Sequence, residues 1–310
     1  MTMQTTYTAI GNREDMIDKI FMVENKRVPF SSRVSKTKAT ATFHEWNKVD
    51  LAAAVDTNAV VEGVDAVDEA QNVNVRLGNY LQISDKVAKV SGTQQVVDKA
   101  GKADDMGKQV AYKMVELTRD IEKSALANKA RNAGSAGTAR VAAGAETWIL
   151  TNSSGGATAV ASSGDGTTAR TPGTPRAFTE ALLQAQLASC ADAGGDPNLI
   201  LLGSFNKQAM SAFDGNVTRN TDAARNELRT SIDLYESDFG LLEVVYSPQS
   251  NAASALIIDT ELWSLPMLRG FETNPLAKNG DYERKQVLAE WTVECGDESG
   301  NAALYDLTTS

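Results

Sequence analysis

Apolar residues at alternating positions predict two long strands in the first third of the chain. Ala39 and Phe43 alternate with polar neighbours over residues 34–46, which is the period-two pattern of a strand. A second such pattern covers residues 73–92, and residues 50–74 between the two hold scarcely a large side chain. We therefore expect one long hairpin with a weakly anchored tip. Because an isolated two-stranded hairpin is marginally stable in water, this hairpin should rest on another surface.

Apolar residues at steps of three and four predict helices, of which the clearest covers residues 104–131. Asp104 or Asp105 is a suitable N-cap for it. At about 1.5 Å per residue this helix would be about 42 Å long, which is longer than a compact domain needs. Its apolar stripe is more typical of a core-facing helix than of a seam with a partner helix. The stripe consists of Met106, Val110, Met114, Leu117 and Ile121.

Two other helices are predicted on either side of this one. The first starts at Asp15 and ends at residues 28–30, because proline restricts the residue before it. The second has Pro175 at its first position and ends at the Ala-Gly-Gly run of residues 193–195.

The remaining pattern predicts an α+β fold. Residues 132–175 are rich in Gly, Ser, Thr and Ala, and form a loose excursion anchored at Trp148 and Ile149. Strands, a helix and a hairpin follow over residues 199–259, as in a compact α+β unit. Apolar and polar residues then alternate over residues 287–295 before the chain turns and returns. This last pattern predicts an antiparallel sheet with one solvated face.

The acidic balance of the chain argues against broad adhesion to nucleic acid. Its 310 residues carry a net charge of −10, and no basic stripe interleaved with aromatic residues is present. Cys190 and Cys295 are far apart in sequence, which argues against a disulfide framework or a zinc site and favours a reducing compartment. The sequence shows no secretion signal and no membrane-spanning run. We expect no cofactor, no bound metal and no membrane partner.

His44 is the single histidine and the first candidate for chemistry. A zinc-protease helix would need a second histidine at position 48, where this chain has Lys48. Without another imidazole, triads, histidine-pair metal sites and imidazole relays are excluded. We interpret His44 as a structural residue in a cross-strand or interface contact, with general-base and metal-ligand roles as the weaker alternatives.

The other chemical motifs are equally weak. The stretch GDGTTA at residues 164–169 imitates a dinucleotide-binding loop, but no strand pattern precedes it and no helix pattern follows, so we expect a flexible loop. The acidic pairs at residues 104–105 and 297–298 suit a helix start and a turn better than acid–base catalysis. Cys190 and Cys295 occupy apolar faces typical of inert buried thiols. We expect no catalytic residue.

Eight stretches, in their order along the chain, resemble the major capsid protein of tailed bacteriophages, in its SU-ten-like branch. None is a chemical motif, but together they run almost from end to end. The resemblance implies the shell fold of the Hong Kong phage, of the HK-ninety-seven type. The stretches are GNREDMIDKIF, VPFSSRVSKTKATATFHEW, RLGNYLQISDKVAKVSGTQQVVDKAGK, GTARVAAGAETWILTN, RAFTEALL, GSFNKQAMSAF, DLYESDFGLLEVV and YDLTTS.

The same resemblance implies a division of the chain into regions. These are an N-terminal arm at residues 1–33, an E-loop hairpin at 34–92, a first part of the P-domain at 93–175 with a spine helix at 104–131, an A-domain at 176–269, and a second part of the P-domain at 270–310.

The partners implied by the resemblance are other copies of the chain. Copies would assemble through pentamers and hexamers into an icosahedral shell of the virion, built in the host cytoplasm, which encloses DNA without sequence-specific binding. Arms and E-loops would overlie neighbouring copies. The residues predicted to make intersubunit contacts are His44, Glu45, Trp46, Lys48 and Glu62.

Two features of this chain differ from those of some members of the family that it resembles. Some crosslink an E-loop lysine to an asparagine of a neighbour, and Lys48 has a suitable place, but no motif assigns this chemistry to it. Some carry a long N-terminal scaffolding segment, whereas the arm here begins almost at Met1, so we expect a separate scaffold protein, a portal and, as an optional partner, a decoration protein. Two alternative functions stay open: the shell of a cellular nanocompartment with the same fold, and an enzyme with a loop-built site in residues 176–269.

Overall fold

The chain forms an α+β fold in which one long helix and two principal sheets pack together. A computed structural model describes residues 25–97, 104–213 and 233–310. The helices in these ranges are Pro29–Arg33 (α1), Gly92–Val96 (α2), Asp105–Ala125 (α3), Glu180–Asp192 (α4) and Ser204–Ser211 (α5). The strands are Phe43–Lys48 (β1), Val75–Tyr80 (β2), Gln82–Ser91 (β3), Ser153–Ser154 (β4), Leu199–Leu202 (β5), Leu234–Ser237 (β6), Gly240–Tyr246 (β7), Ala255–Ile258 (β8), Trp263–Ser264 (β9), Met267–Leu276 (β10), Tyr282–Trp291 (β11), Glu294–Cys295 (β12) and Ala302–Leu304 (β13).

The larger sheet has six strands in the order β4-β13-β8-β5-β7-β6. Strand β5 pairs in parallel with β7 and antiparallel with β8. Both β5 and β8 are buried along their whole length, which explains why their sequences are continuous aliphatic runs rather than alternating patterns. Leu183 and Leu187 of α4 cover one face of this sheet, and Trp148 and Trp263 belong to the core on the other face.

The second principal sheet joins strands in the order β10-β11-β3 and carries α3 on one face. Ala88 and Val90 of β3 pack with Met106 near the start of the helix. Leu117 and Ile121, further along the same stripe, enter the main core. The prediction that this stripe faces a core is therefore confirmed for these residues.

The long helix exists but is shorter than predicted. It has 21 residues, with Asp104 at the N-cap and Leu126 at the C-cap, so its length is about 31 Å. The predicted extension to residue 131 is wrong because the chain turns after Leu126, and the amide of Arg131 donates to the carbonyl of Gly166 at 2.8 Å. The sequence beyond Leu126 still looks helical, but the backbone there makes hydrogen bonds to residues distant in the chain instead of helical ones.

The helix predicted to begin at Pro175 begins at Glu180 instead. Thr179 is its N-cap, and the threonine hydroxyl accepts from the amide of Leu182 at 3.4 Å. The segment after Pro175 is held in an extended form by a parallel bridge from Arg176 to Leu307. A strand-like contact with the C-terminal segment thus replaces the first predicted turn of helix.

The predicted hairpin forms only in part. Its first strand is Phe43–Lys48 rather than residues 34–46, because Ser35 and Lys38 make parallel bridges to Ser264 and Met267 instead. Its second strand is divided at the fully buried Leu81: β2 pairs with β1, whereas β3 joins the sheet with β11.

The predicted C-terminal antiparallel sheet is wrong in its pairing and in its solvated face. Strand β11 pairs with β10 and β3, and the returning strand β13 joins the six-stranded sheet. Glu290 is buried because Arg140 and Arg269 both donate to its carboxylate, at 2.5 and 2.9 Å. Thr292 is also buried, and its hydroxyl donates to the carbonyl of Tyr80 at 2.9 Å. Polar residues that are buried together with their hydrogen-bond partners thus give the same alternating sequence pattern as a solvated face.

A buried carboxylate attaches the first described segment to the long helix. Pro29 begins α1 rather than ending a helix, and the predicted helix from Asp15 lies outside the described residues. The amides of Phe30 and Ser31 donate to the two carboxylate oxygens of Glu122, at 2.7 and 2.8 Å. Burial raises the pKa of Glu122, although these hydrogen bonds act in the opposite direction. The stability contribution of this group therefore decreases as pH rises from its ordinary pKa through the raised one.

Glu122→Ala is expected to destabilise the protein by about 1–3 kcal/mol, because two backbone N–H groups lose their acceptor in a buried site. Amide hydrogen exchange at Phe30 and Ser31 should accelerate in the variant. The matched control is Asp120→Ala on the same helix, which removes only a partly exposed ion pair with Lys86 and should cost less than about 1 kcal/mol. Equal exchange rates at Phe30 in both variants would contradict the proposed attachment.

Candidate functional site

The root of the hairpin, defined as strands β1 and β2, places the predicted site residues in a fixed register. His44 lies opposite Asn79 and Trp46 lies opposite Leu77. Gly78 lies opposite Glu45, and a Cβ atom at that position would be 2.7 Å from the ring of Phe43. The sequence of β2 thus allows the two strands to approach closely at this point.

Trp46 anchors the root to the core of the molecule. Its ring lies against Trp148, with ring centroids 5.2 Å apart, and Trp148 is fully buried. The prediction that Trp148 and Ile149 anchor the Gly-rich excursion is confirmed, since both are fully buried. The indole of Trp46 therefore joins the hairpin to that excursion within one chain.

His44 makes a structural contact with the C-terminal strands. Its Nε2 atom lies 3.2 Å from a carboxylate oxygen of Glu294, and the hydroxyl of Ser264 donates to the same oxygen at 2.5 Å. Within the ranges that the structure describes, no group of three or more His, Cys, Asp or Glu residues could hold a metal ion. The contact of the histidine with this carboxylate links β1 to β12.

Lys48 ends β1 in a pair of ionic contacts. Its ammonium group lies 2.8 Å from Asp297 and 3.1 Å from Asp50. Burial disfavours the charged form, but the two carboxylates prevail and raise the pKa of Lys48. Burial likewise opposes the charge of Asp297, but hydrogen bonds from Lys48 and Ser299 lower the pKa of Asp297. The ion pair with Asp297 is therefore complete between the acidic and the strongly basic range.

Lys48→Met should remove up to about 1 kcal/mol of stability at neutral pH. Because the pKa of Asp297 is lowered, the contribution of the pair is present above about pH 4 and is lost as pH falls through the lowered value. Thermal unfolding between pH 2 and 7, roughly the range of carboxylate titration, should therefore show a smaller acid dependence in the variant. Arg76→Met, which breaks the more exposed pair with Glu45, is the control and should leave that dependence unchanged. An equal acid dependence in wild type and Lys48→Met would contradict the assignment.

The remaining two predicted residues differ in their surroundings. Glu45 forms an ion pair with Arg76 across the root. Glu62 is exposed and far along the chain from the root, in a segment where the described residues form neither helix nor strand. The structure thus groups His44, Trp46 and Lys48 as intrachain anchors and leaves Glu62 apart from them. Their roles in intersubunit contact stay a prediction.

The tip of the hairpin, defined as residues 49–74, exposes apolar side chains that a folded monomer would ordinarily bury. Eight aliphatic residues in it are between 47% and 86% exposed. Eight exposed aliphatic residues in a segment of 26 favour its interpretation as an interaction surface. The eight residues are Val49, Leu51, Val55, Val60, Val61, Val64, Val67 and Val73.

Asn79 and Arg131 complete the root, and sequence reasoning did not single them out. The buried amide group of Asn79 donates to the carbonyls of Ala143 and Val293, and its oxygen accepts from the amide of Ala143 at 2.9 Å. Arg131 donates to the carbonyl of Gly78. All these partners are distant in sequence, so no local pattern could have indicated them.

A groove beside α4 is one place in residues 176–269 where an enzyme site could lie. This open groove of about 510 Å³ lies between the helix and the β6–β7 turn. Its polar lining includes Glu180, Glu236 and Asp238, and burial raises the pKa of Tyr235 beside them. The lining contains carboxylates, the phenol of Tyr235 and the hydroxyl of Ser237, which donates to the carbonyl of Gly240 at 2.9 Å, but no cysteine or lysine. The chain has no histidine other than His44.

The other candidate groups have structural environments. Both cysteines are free and buried, and burial raises the pKa of Cys190 to about 11 and that of Cys295 well above its ordinary value. Their prediction as inert thiols agrees with this. The carboxylate of Glu298 accepts from the amides of Leu150 and Thr151, as suits a turn. No helix in the described ranges is long and apolar enough to cross a membrane.

A family model matches almost the whole chain. The family model of the SU10 major capsid protein matches residues 2–308. The chain is similar to the major capsid protein of Escherichia phage Phieco32, with 30% identity over 130 residues, 42% of this chain and 37% of that protein. The match thus spans little more than a third of that relative.

Solved structures share the fold at low sequence identity. The capsid protein of cyanophage A-1(L) superposes with a TM-score of 0.66 at 13% identity and covers 99% of both chains. A structure of phage G major capsid proteins with decoration proteins gives a TM-score of 0.56 at 10% identity, covering 95% of both chains. The fold class expected from the sequence is confirmed by these matches.

Proposed function

Since this chain belongs to the SU10 major capsid protein family, we propose that it builds the shell of a phage head, in which many copies enclose the genome. The main support for the proposal comes from the hairpin. Its root is anchored to the core by Trp46, but its tip exposes eight aliphatic side chains. A segment of this kind is stabilised when a neighbouring copy covers it. The subunit is therefore complete only in an assembly.

The shell would be built from pentamers and hexamers, as closed symmetric assemblies require repeated contacts of one kind. In this proposal the hairpin is the E-loop, α3 is the spine helix of the P-domain, and the six-stranded sheet with α4 and α5 lies mainly in the A-domain. Neither the groove beside α4 nor any other described feature favours an enzyme or a cellular nanocompartment. The protein would thus act structurally, in the virion.

The proposed partners other than the chain itself follow from the needs of such a shell. A scaffold protein would guide assembly, a portal would occupy one vertex, and DNA would be enclosed without sequence-specific binding, consistent with the net charge of −10. A decoration protein is an optional partner, since the similar phage G structure contains such proteins.

Sedimentation of the purified protein at rising concentration, followed by electron microscopy of the fast-sedimenting fraction, tests the proposal. Closed shells or ring-shaped capsomers are expected. A compact monomer that persists at high concentration, with or without a scaffold protein from the same phage, would contradict it.

A further inference from the structure

Two exposed segments next to the hairpin root carry charges of opposite sign. The first, which we call the basic strip, comprises residues 25–42 and holds five Lys or Arg residues and no Asp or Glu. In a chain with a net charge of −10, this is a local reversal of sign. The five cations are Lys26, Arg27, Arg33, Lys36 and Lys38.

The basic strip is held in place and its cations face solvent. Parallel bridges to Ser264 and Met267 fix its extended part, and Phe30 is fully buried. All five cationic residues are nevertheless exposed. Arg33 pairs with Glu243, whereas the other four have no ion pair within the described ranges. The strip is thus a preformed cationic surface with little internal compensation.

The tip carries a negative charge, opposite to that of the basic strip. Residues 49–74 hold six Asp or Glu residues and no Lys or Arg. Asp50 pairs with Lys48, and the other five acids have no ion pair within the described part of the chain. The six acids are Asp50, Asp56, Glu62, Asp65, Asp68 and Glu69.

The tip and the strip of one copy are separated by strand β1. The strip precedes β1 and the tip follows it. The six residues of β1 therefore separate the end of the strip from the start of the tip by about 20 Å. Each side of the tip has about 13 residues, so the tip can reach about 40 Å beyond the root. A tip of this length could contact a copy that packs beside the root.

We infer that the acidic tip of one copy docks on the basic strip of a neighbouring copy; this inference rests on the proposed shell function. Opposite potentials fix the register of two surfaces and disfavour wrong pairings. The aliphatic side chains of the tip supply apolar contact area in the same interface. Because acidic copies otherwise repel one another, this local complementarity directs the hairpin to one place on its neighbour.

Nucleic acid is the other polyanion that a cationic strip could bind. The observations favour the tip, because the same chain supplies an acidic segment of nearly equal charge, in as many copies as there are strips. The strip also offers no exposed aromatic side chain for stacking on bases, since its one aromatic residue, Phe30, is buried.

Charge reversal in both segments tests the pairing in the full chain. The strip variant carries Lys26→Glu, Lys36→Glu and Lys38→Glu. The tip variant carries Asp56→Lys, Glu62→Lys and Asp65→Lys, and a third variant combines all six changes. A matched control reverses three exposed lysines elsewhere, with Lys89→Glu, Lys123→Glu and Lys278→Glu.

The strip and tip variants should each raise the protein concentration needed for assembly by about tenfold or more, since like charges would then face one another. The combined variant should recover assembly near the wild-type concentration. Recovery no better than in the single-segment variants, or an equal loss in the control, would overturn the pairing. Unchanged assembly with less DNA retained in the particles would assign the strip to nucleic acid instead. In each case wild-type shells show that the proposed function stands.

Carbodiimide crosslinking of wild-type particles provides a second measurement that needs no variant. Particles from a mixture of isotopically heavy and light chains should yield mixed-isotope crosslinks between acids of residues 56–69 and Lys26, Lys36 or Lys38. Crosslinks of these acids only to lysines outside the strip would overturn the inference. Failure of wild-type protein to form any particle would instead count against the proposed function.

Discussion

Replacing residues 50–74 by Asn-Gly is expected to abolish shell assembly and to leave the subunit folded. Lys48 and Val75 are cross-strand partners, so Val49-Asn-Gly would join them as a three-residue hairpin turn with glycine in the position that needs a positive φ. The tip makes scarcely any contact with the rest of the chain, apart from the ion pair of Asp50 with Lys48. The midpoint of thermal unfolding should therefore change by less than about 4 °C.

The control for this variant keeps the length of the tip and changes its side chains. An equally long Gly-Ser segment in place of residues 50–74 should also fail to assemble, because it offers neither charges nor aliphatic groups to a neighbour. Sedimentation and electron microscopy measure assembly, and circular dichroism measures folding. Normal shells from either variant would show that the tip is not an assembly element.

Arg170→Ala is expected to destabilise the subunit by about 3–5 kcal/mol. The guanidinium group is buried, and it donates to Glu146 at 3.0 Å and to Asp306 at 2.9 Å. It also lies over the ring of Tyr305, at 4.2 Å from the centroid. Burial opposes the charges, but the amide of Gly156 and the arginine lower the pKa of Asp306. Without the arginine, the buried carboxylates of Glu146 and Asp306 would both lose their cationic partner.

Denaturant unfolding measures this effect, and two further variants isolate its cause. Arg33→Ala removes a more exposed arginine that pairs with Glu243 and should cost at most about 1 kcal/mol. Arg170→Met combined with Glu146→Gln and Asp306→Asn removes all three charges and should recover most of the stability. Asparagine suits position 306, where φ is +58°. A combined variant as unstable as Arg170→Ala would mean that packing, not charge, causes the loss.

Sequence patterns predicted the elements whose burial is uniform or regularly alternating. The aliphatic runs at residues 199–202 and 255–258 and the apolar stripe of α3 indicated their structures directly. Which strands pair with one another could not be predicted as well from the sequence. Residues 73–92 look like one strand, yet the buried Leu81 divides them between two sheets, because pairing with β1 and with β11 is decided by partners distant in the chain.

In the candidate site, too, the sequence predicted some features but not the contacts between residues that are distant in the chain. The absence of a second histidine was enough to predict a structural role for His44, and its contact with Glu294 agrees. That contact spans 250 positions, and the pair of Lys48 with Asp297 spans 249, so neither has a local signature. The Arg170 cluster was missed for the same reason. Intersubunit roles for the hairpin residues rest on resemblance and on the exposure of the tip.

The most direct measurement is a cryo-electron microscopy reconstruction of particles assembled from the full chain. We expect a closed shell in which residues 49–74 of each copy lie on a neighbouring copy, while the root contacts of Trp46 and Lys48 remain within the chain. A reconstruction in which the tip packs on its own subunit, or in which no other copy contacts it, would contradict the claim that this subunit is completed by its neighbours.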